Sequence, residues 1–209
     1  MIESMGDDDI PVLTETEKAR VQALGSACRA LGEAVAAGDA TTDDVLATLA
    51  QARQIELDPA RFIDALHVPD DAGEYTEALE RLLRRIPDGW GRWISCDAGW
   101  FPLVVELDAA MAEVLPTYVL HQVKEKFGSL RYYFAMGDLP YDDPVRQRLD
   151  ALVREAEQRS ERTCELCGAD AVLCRRSGWY KTLCSTCRSG GDCAGYEPVR
   201  RLNRSQPGD

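Results

Sequence analysis

Two cysteine pairs carry the clearest chemistry in this 209-residue chain. Cys164-Glu-Leu-Cys167-Gly168 is followed, with sixteen residues between Cys167 and Cys184, by Cys184-Ser-Thr-Cys187. Each C-x2-C turn aims two thiolates at one point, and two such turns at this separation match a tetrahedral four-cysteine zinc site. Gly168 permits a positive φ directly after the second thiolate. Four thiolates leave a zinc ion no open position for substrate, so the spacing predicts one structural Zn2+ held by Cys164, Cys167, Cys184 and Cys187. A four-cysteine ββα-type nuclease would need a nearby histidine base, and no His follows His121. A redox C-x-x-C is the competing reading, disfavoured because there are two matched pairs. In zinc-finger peptides such a site contributes roughly 10–16 kcal/mol of apparent folding energy, enough to fold a short Gly-rich segment. Cys174 and Cys193 are left as stand-in ligands or free thiols. Cys28 and Cys96 read as structural, Cys28 as a small buried hydrophobe.

A second constellation is His121, Lys124, Glu125, Lys126, Arg131 and Tyr133. Acid–base chemistry would need His121 and Glu125 to converge in a pocket. Strict two-residue alternation puts them on one strand face with Val119 and Val123. A satisfied edge histidine and a solvated hairpin end are the plainer reading, so no catalytic residue is assigned. The sharper one is a recognition patch, with Tyr133 for stacking and Arg131 for a phosphate or carboxylate.

The elements that must position these residues follow from periodicity. Thr14 and Glu17 form a capping box, and Val21, Leu24, Cys28, Leu31 and Val35 make an apolar stripe behind it, closed by Gly38. Thr41 opens a second helix with Val45, Leu49, Ala52 and Ile55 on one face. Asp58-Pro59 starts a short third helix, and Tyr75, Leu79, Leu82 and Ile86 mark a fourth. His67 reads as a helix-end residue. Residues 89–100 hold three of the four Trp among three Gly, a loop expected to pack its own aromatics. A helix from Phe101 buries Leu103, Leu107, Ala110, Met111 and Val114. Residues 117–126 and 130–134 form a hairpin about a turn at 127–129, with Leu130, Tyr132 and Phe134 on one face. Such a hairpin needs a helix or a third strand. Residues 140–160 are helical through Val145, Leu149, Leu152 and Ala156, and residues 179–183 read as the strand delivering the second cysteine pair.

The fold class is therefore α+β. Residues 1–13 are an acidic flexible start, 14–86 a helical domain, 87–162 a helix–hairpin–helix body, 163–197 a zinc ribbon-like segment and 198–209 a flexible tail. Lys plus Arg number 24 against 36 Asp plus Glu, a net charge of −12. Residues 1–116 hold 9 basic and 23 acidic residues, a net −14, while residues 117–209 carry +2. The front repels nucleic acid and anionic membranes and suits either a basic partner or simply solubility, the more common reason for acidity. No apolar run reaches the ~18 residues of a membrane span. The start lacks the basic-then-apolar pattern of a secretory signal. A reducing cytoplasm is therefore expected, where cysteines bind metal more often than they pair.

Gly99-Trp-Phe-Pro-Leu103, Gln122-Val-Lys-Glu-Lys-Phe-Gly-Ser-Leu-Arg-Tyr-Tyr133, Cys164-Glu-Leu-Cys-Gly168 and Leu183-Cys-Ser-Thr-Cys187 together resemble an uncharacterised group of small bacterial and phage or prophage proteins. The likeness spans residues 89–187. It implies the architecture of these segments and a mobile-element context, and no activity. Three functions are thereby expected, in order. The first is a non-enzymatic, zinc-stabilised protein-interaction factor, such as an immunity, antitoxin or anti-defence protein with a basic protein partner. The second is a nucleic-acid binder using residues 163–190 with Arg175, Arg176, Lys181 and Arg188. The third is an enzyme with its site on the hairpin face.

Overall fold

The structure is a computed structural model that describes residues 13–55 and 60–199. The Asp58-Pro59 helix start, and the expected flexible ends apart from Leu13, Pro198 and Val199, lie outside the described residues. The chain divides into two compact units, residues 1–65 and 66–209. The fold is mixed α and β, with helices and two three-stranded sheets.

In the first unit, α1 (Glu15–Ala37) and α2 (Thr42–Arg53) pack as a helical pair, followed by the short α3 (Ala60–Ile63). Both long helices begin with the reciprocal capping box, Thr14 with Glu17 and Thr41 with Asp44. Each box satisfies backbone donors that the first turn otherwise leaves unpaired. Asp44 accepts from the Thr41 hydroxyl and backbone, which holds its carboxyl below the usual range. The expected apolar stripe is displaced. Leu24, Ala27, Leu31 and Ala34 are the partly buried line, whereas Cys28 and Val35 are exposed. Val45 and Leu49 of α2 are exposed too. A two-helix layer with an alanine-rich seam covers only the side chains in that seam. Cys28 is therefore not a buried hydrophobe.

The second unit starts earlier than expected. The fourth helix, α4 (Thr76–Leu83), is not part of an N-terminal domain reaching to residue 86. Its Leu79, Leu82 and Leu83, with Ile86, are fully buried against Trp100, Phe101, Val104 and Met111. That face, too apolar to leave in water, joins the larger core. The second α-helix of this core, α5 (Phe101–Val114), carries Pro102 in its first turn, and the third, α6 (Pro144–Ser160), is capped by Asp143. Pro144 rather than Pro140 opens it, since a proline at the first helical position sacrifices no hydrogen bond.

The central hairpin is β2 (Val119–Lys126) and β3 (Ser129–Ala135), antiparallel, with Lys124 opposite Arg131. The required third strand is β1 (Ile94–Ser95), which pairs parallel to β2. Leu130 and Tyr132 are buried and Phe134 packs against the core, as their shared face demands. On β2 the alternation breaks. Leu120 and Val123 are both buried, three positions apart, because the register shifts between Leu120 and Gln122. The extra residue is His121, and its bulge separates it from the Val123 face.

The C-terminal sheet has the order β5 (Trp179–Leu183), β4 (Val172–Arg176), β6 (Glu197–Pro198). A single turn of helix, α7 (Ser185–Arg188), follows β5. This segment has its own small cluster of Cys164, Cys174, Leu183, Cys184, Cys193 and Tyr196. No helix of the described residues is long and apolar enough to cross a membrane.

Candidate functional site

Cys164, Cys167, Cys184 and Cys187 come together with all four sulfur atoms within 4.8 Å of one another. The Sγ atoms of Cys167 and Cys184 are 3.7 Å apart. A disulfide would hold them at about 2.0 Å. A tetrahedron of thiolates at about 2.3 Å from a central ion has edges of about 3.8 Å, so the spacing fits a metal-holding cage.

Local backbone chemistry builds that cage. In the first turn Gly168 N–H donates to Cys164 O at 2.8 Å, and Gly168 has a φ of 78°. In the second, the Cys187 N–H points at Cys184 Sγ at 3.3 Å. That backbone donor leads the causes lowering the Cys184 thiol to about 7. Cys174 and Cys193 are buried beside the cage without joining it, and the Cys174 thiol bonds Val172 O instead. Burial pushes both thiols up.

The cage is tied to the core of the second unit by named contacts. Gly99 N–H donates to Glu165 O at 2.8 Å, and Trp100 Nε1 to Thr163 O at 2.8 Å. Trp100 is fully buried, as a packing role requires. Thr182 Oγ1 in β5 donates to Gly128 O in the hairpin turn at 2.5 Å. Gly128 has a φ of 76°, which favours glycine, and a Cβ there would also have to displace the end of the Leu173 side chain. Lys181 Nζ bridges Asp97 at 2.7 Å and the buried Glu165 at 3.0 Å. Burial alone would lower the Lys181 ammonium, but its hydrogen bonds to both carboxylates outweigh burial and raise it. Cys96 packs against the core, and desolvation raises its thiol strongly. These ties give the Gly99-Trp100 and Phe127-Gly128 motifs a structural meaning, because both press directly on the metal segment.

The remaining candidates separate into three places. His121, Gln122, Lys124 and Tyr133 line one cleft with Trp90. Glu125 and Lys126 line another, with Phe127, Ser177, Gly178, Trp179 and Tyr180. Arg131 joins neither, since its Nη1 donates to Ser129 Oγ and Leu130 O. The convergence of His121 and Glu125 is therefore corrected. Glu125 Oε1 accepts from Gly128 N–H at 2.5 Å in the hairpin turn, while the bulged His121 stacks on Trp90 with centroids 4.2 Å apart. Two of the basic residues expected to face nucleic acid are also spent on the chain itself. Arg176 donates to Asp192 O and Ala194 O, and Lys181 holds its two carboxylates.

Exposed aromatics are what the periodicity could not place. Trp90 is 56% exposed and Trp93 is also exposed, so only Trp100 of the tryptophan-rich loop follows the expected packing. At the two hairpin tips Phe127 is 66% and Trp179 76% exposed. Phe127 and Ser177 have φ of 58° and 49°. Each precedes a glycine in a tight two-residue turn where Asn or Asp normally supplies the left-handed conformation. The signal available in sequence was the Phe-Gly and Ser-Gly pairs between strands.

Compared with protein-family models, curated proteins and solved structures, the chain has no match.

Proposed function

We propose that this protein is a zinc-stapled, non-enzymatic protein-interaction factor whose contact surface is the pair of hairpin tips. The observation that carries this reading is the juxtaposition of Phe127 and Trp179. Both are largely exposed, and with Tyr180 and Lys126 they line a cleft of about 490 Å3. Aromatic anchors of this kind dominate protein interfaces. A bulky residue in the left-handed region costs on the order of 1 kcal/mol or more, so the turn itself is no reason to have Phe127 there. The tips are preorganised by the Thr182–Gly128 and Glu125–Gly128 bonds, which reduces the ordering cost of association.

The ion is zinc, bound by four thiolates and structural, because that donor set is closed to substrate. The acidic first unit, 13 acidic against 5 basic residues over 1–65, favours a basic partner through long-range attraction. The likeness to mobile-element proteins makes an immunity, antitoxin or anti-defence role the specific form of this reading. The nucleic-acid reading through residues 163–190 is weakened by the internal engagement of Arg176 and Lys181.

The test is affinity capture from the native host with the full chain and with Phe127→Ala/Trp179→Ala. The expected result is a stoichiometric protein that the wild type retains, that the variant loses, and that rebinds purified wild type in a two-component assay. Capture that is identical for the variant, or no stoichiometric protein at low and moderate salt, overturns the proposal.

A further inference from the structure

The cleft lined by Trp90, His121, Gln122, Lys124 and Tyr133 is separate from the hairpin tips, and its chemistry points to a different kind of ligand. Its volume is about 400 Å3, within the range of about 300–1,000 Å3 typical of small-molecule sites. Three of its five lining residues carry flat rings, one is an amide and one is an ammonium. None is a carboxylate.

The arrangement is built by the fold. The bulge between Leu120 and Gln122 keeps His121 off the buried face, beside Gln122 and Lys124. Bulges recur beside functional sites because they re-aim a side chain in this way. Trp90 lies parallel to the His121 ring, at 12° and 4.2 Å, so both rings are held in one orientation. Its other surface is open, since Trp90 remains largely exposed. Gln122 sits directly across from Tyr133 in the strand register. Lys124 Nζ lies 5.1 Å from the centre of the Tyr133 ring and makes no ion pair among the described residues.

We infer that this cleft binds a nucleoside phosphate, with the base stacked on the aromatic surfaces and the phosphate met by Lys124. Stacking on an exposed ring contributes about 1–3 kcal/mol per base. The Gln122 amide offers a donor and an acceptor for a base edge. An ammonium without a carboxylate partner is free to meet a phosphate, and the absence of acidic lining residues removes the repulsion an anion would face. The same chemistry is offered by a free mononucleotide and by one nucleotide of a single strand.

The experiment uses the full zinc-loaded chain and follows the imidazole signals by NMR alongside calorimetry. The chain has only two histidines, so His121 is distinguished from His67 by a His67→Gln variant. The probes are AMP, UMP, adenosine, ribose 5-phosphate and an eight-nucleotide single strand. The expected result is saturable binding of the nucleotides that shifts the His121 ring signals, with adenosine and ribose 5-phosphate at least tenfold weaker. Trp90→Ala and Lys124→Gln each weaken it at least tenfold with an unchanged melting temperature, whereas Phe127→Ala/Trp179→Ala leaves it intact. Binding of the oligonucleotide alone supports the inference and identifies a strand as the source. No His121 shift with any nucleotide at millimolar concentration overturns it. So does ribose 5-phosphate binding as tightly as AMP, which would mean a bare anion contact. Because the hairpin tips are untouched here, failure of this inference leaves the protein-interaction reading standing, and the reverse.

Discussion

Gly99 lies directly against the carbonyl of Cys164. A Cβ at position 99 would overlap that oxygen and stand 2.5 Å from Gly168 N and 2.6 Å from Cys167 N. The loop entering α5 and the Cys164–Cys167 turn therefore share one surface, with the Gly99–Glu165 hydrogen bond across it. Gly99→Ala is expected to cost about 1–3 kcal/mol, the usual range for overpacking a site whose neighbours are backbone. It should also speed loss of metal to a chelator. Thermal melts and chelator-competition rates check both. An unchanged rate would mean that the cage is independent of this contact.

Metal analysis of the purified protein is expected to give one zinc per chain. Cys164→Ser or Cys184→Ser should abolish it, and Cys174→Ser or Cys193→Ser should leave the stoichiometry at one, since neither sulfur belongs to the cage. Chelation should unfold residues 163–198 preferentially, because about 10–16 kcal/mol of apparent metal-binding energy is lost from a segment with a small apolar cluster. Hydrogen exchange resolved along the chain reads this directly. Uniform exchange before and after chelation would contradict it.

Lys181 neutralises a buried carboxylate. Breaking a fully buried pair costs about 3–5 kcal/mol, and because the Lys181 side chain is 27% exposed we expect about 2 kcal/mol for Lys181→Met. The double variant Lys181→Met/Glu165→Gln should recover part of that loss, since it leaves no unpaired charge buried, and the Asp97 carboxylate, 43% exposed, is left to water. Denaturant melts of the single and double variants measure the coupling. Additive losses would mean that Lys181 and Glu165 are not energetically coupled.

Two tyrosines should resist ionisation. The Tyr118 and Tyr132 hydroxyls are 2.6 Å apart, and Tyr118 also donates to Asp108, which Arg85 holds at 2.7 Å. Burial leads the causes that raise both phenols above their ordinary value of 10.0. A group raised in the folded state adds stability below its unfolded value and loses it above that value. Stability should therefore be unaffected by these two phenols below pH about 10 and fall as the pH rises beyond it. Tyrosine absorbance in an alkaline titration should show a delayed fraction, Tyr118 and Tyr132, that ionises only as the protein unfolds. Tyr132→Phe should halve that delayed fraction.

Much of the molecule is decided by the sequence alone. The two Cys-x2-Cys turns, the capping boxes at Thr14 and Thr41, the hairpin about Phe127-Gly128 and the helix behind Trp100 all depend on neighbours within a few residues. Turn geometry and hydrogen-bond period therefore determine them wherever the chain folds. Tertiary structure decides which face each element buries. A helix stripe centred on Cys28 becomes a seam of Ala27, Leu31 and Ala34, because that is the line α2 covers among the described residues. The fourth helix joins the second core because its leucines meet Trp100 and Met111. The bulge at His121 depends on the pairing of β2 with β3, and it separates His121 from Glu125. Arg176 and Lys181 look like free cations in the sequence, and only long-range packing supplies the carbonyls and carboxylates that claim them. The same packing leaves Trp90, Phe127 and Trp179 uncovered. Their types were legible from the start, but their exposure among the described residues follows from how the second unit packs.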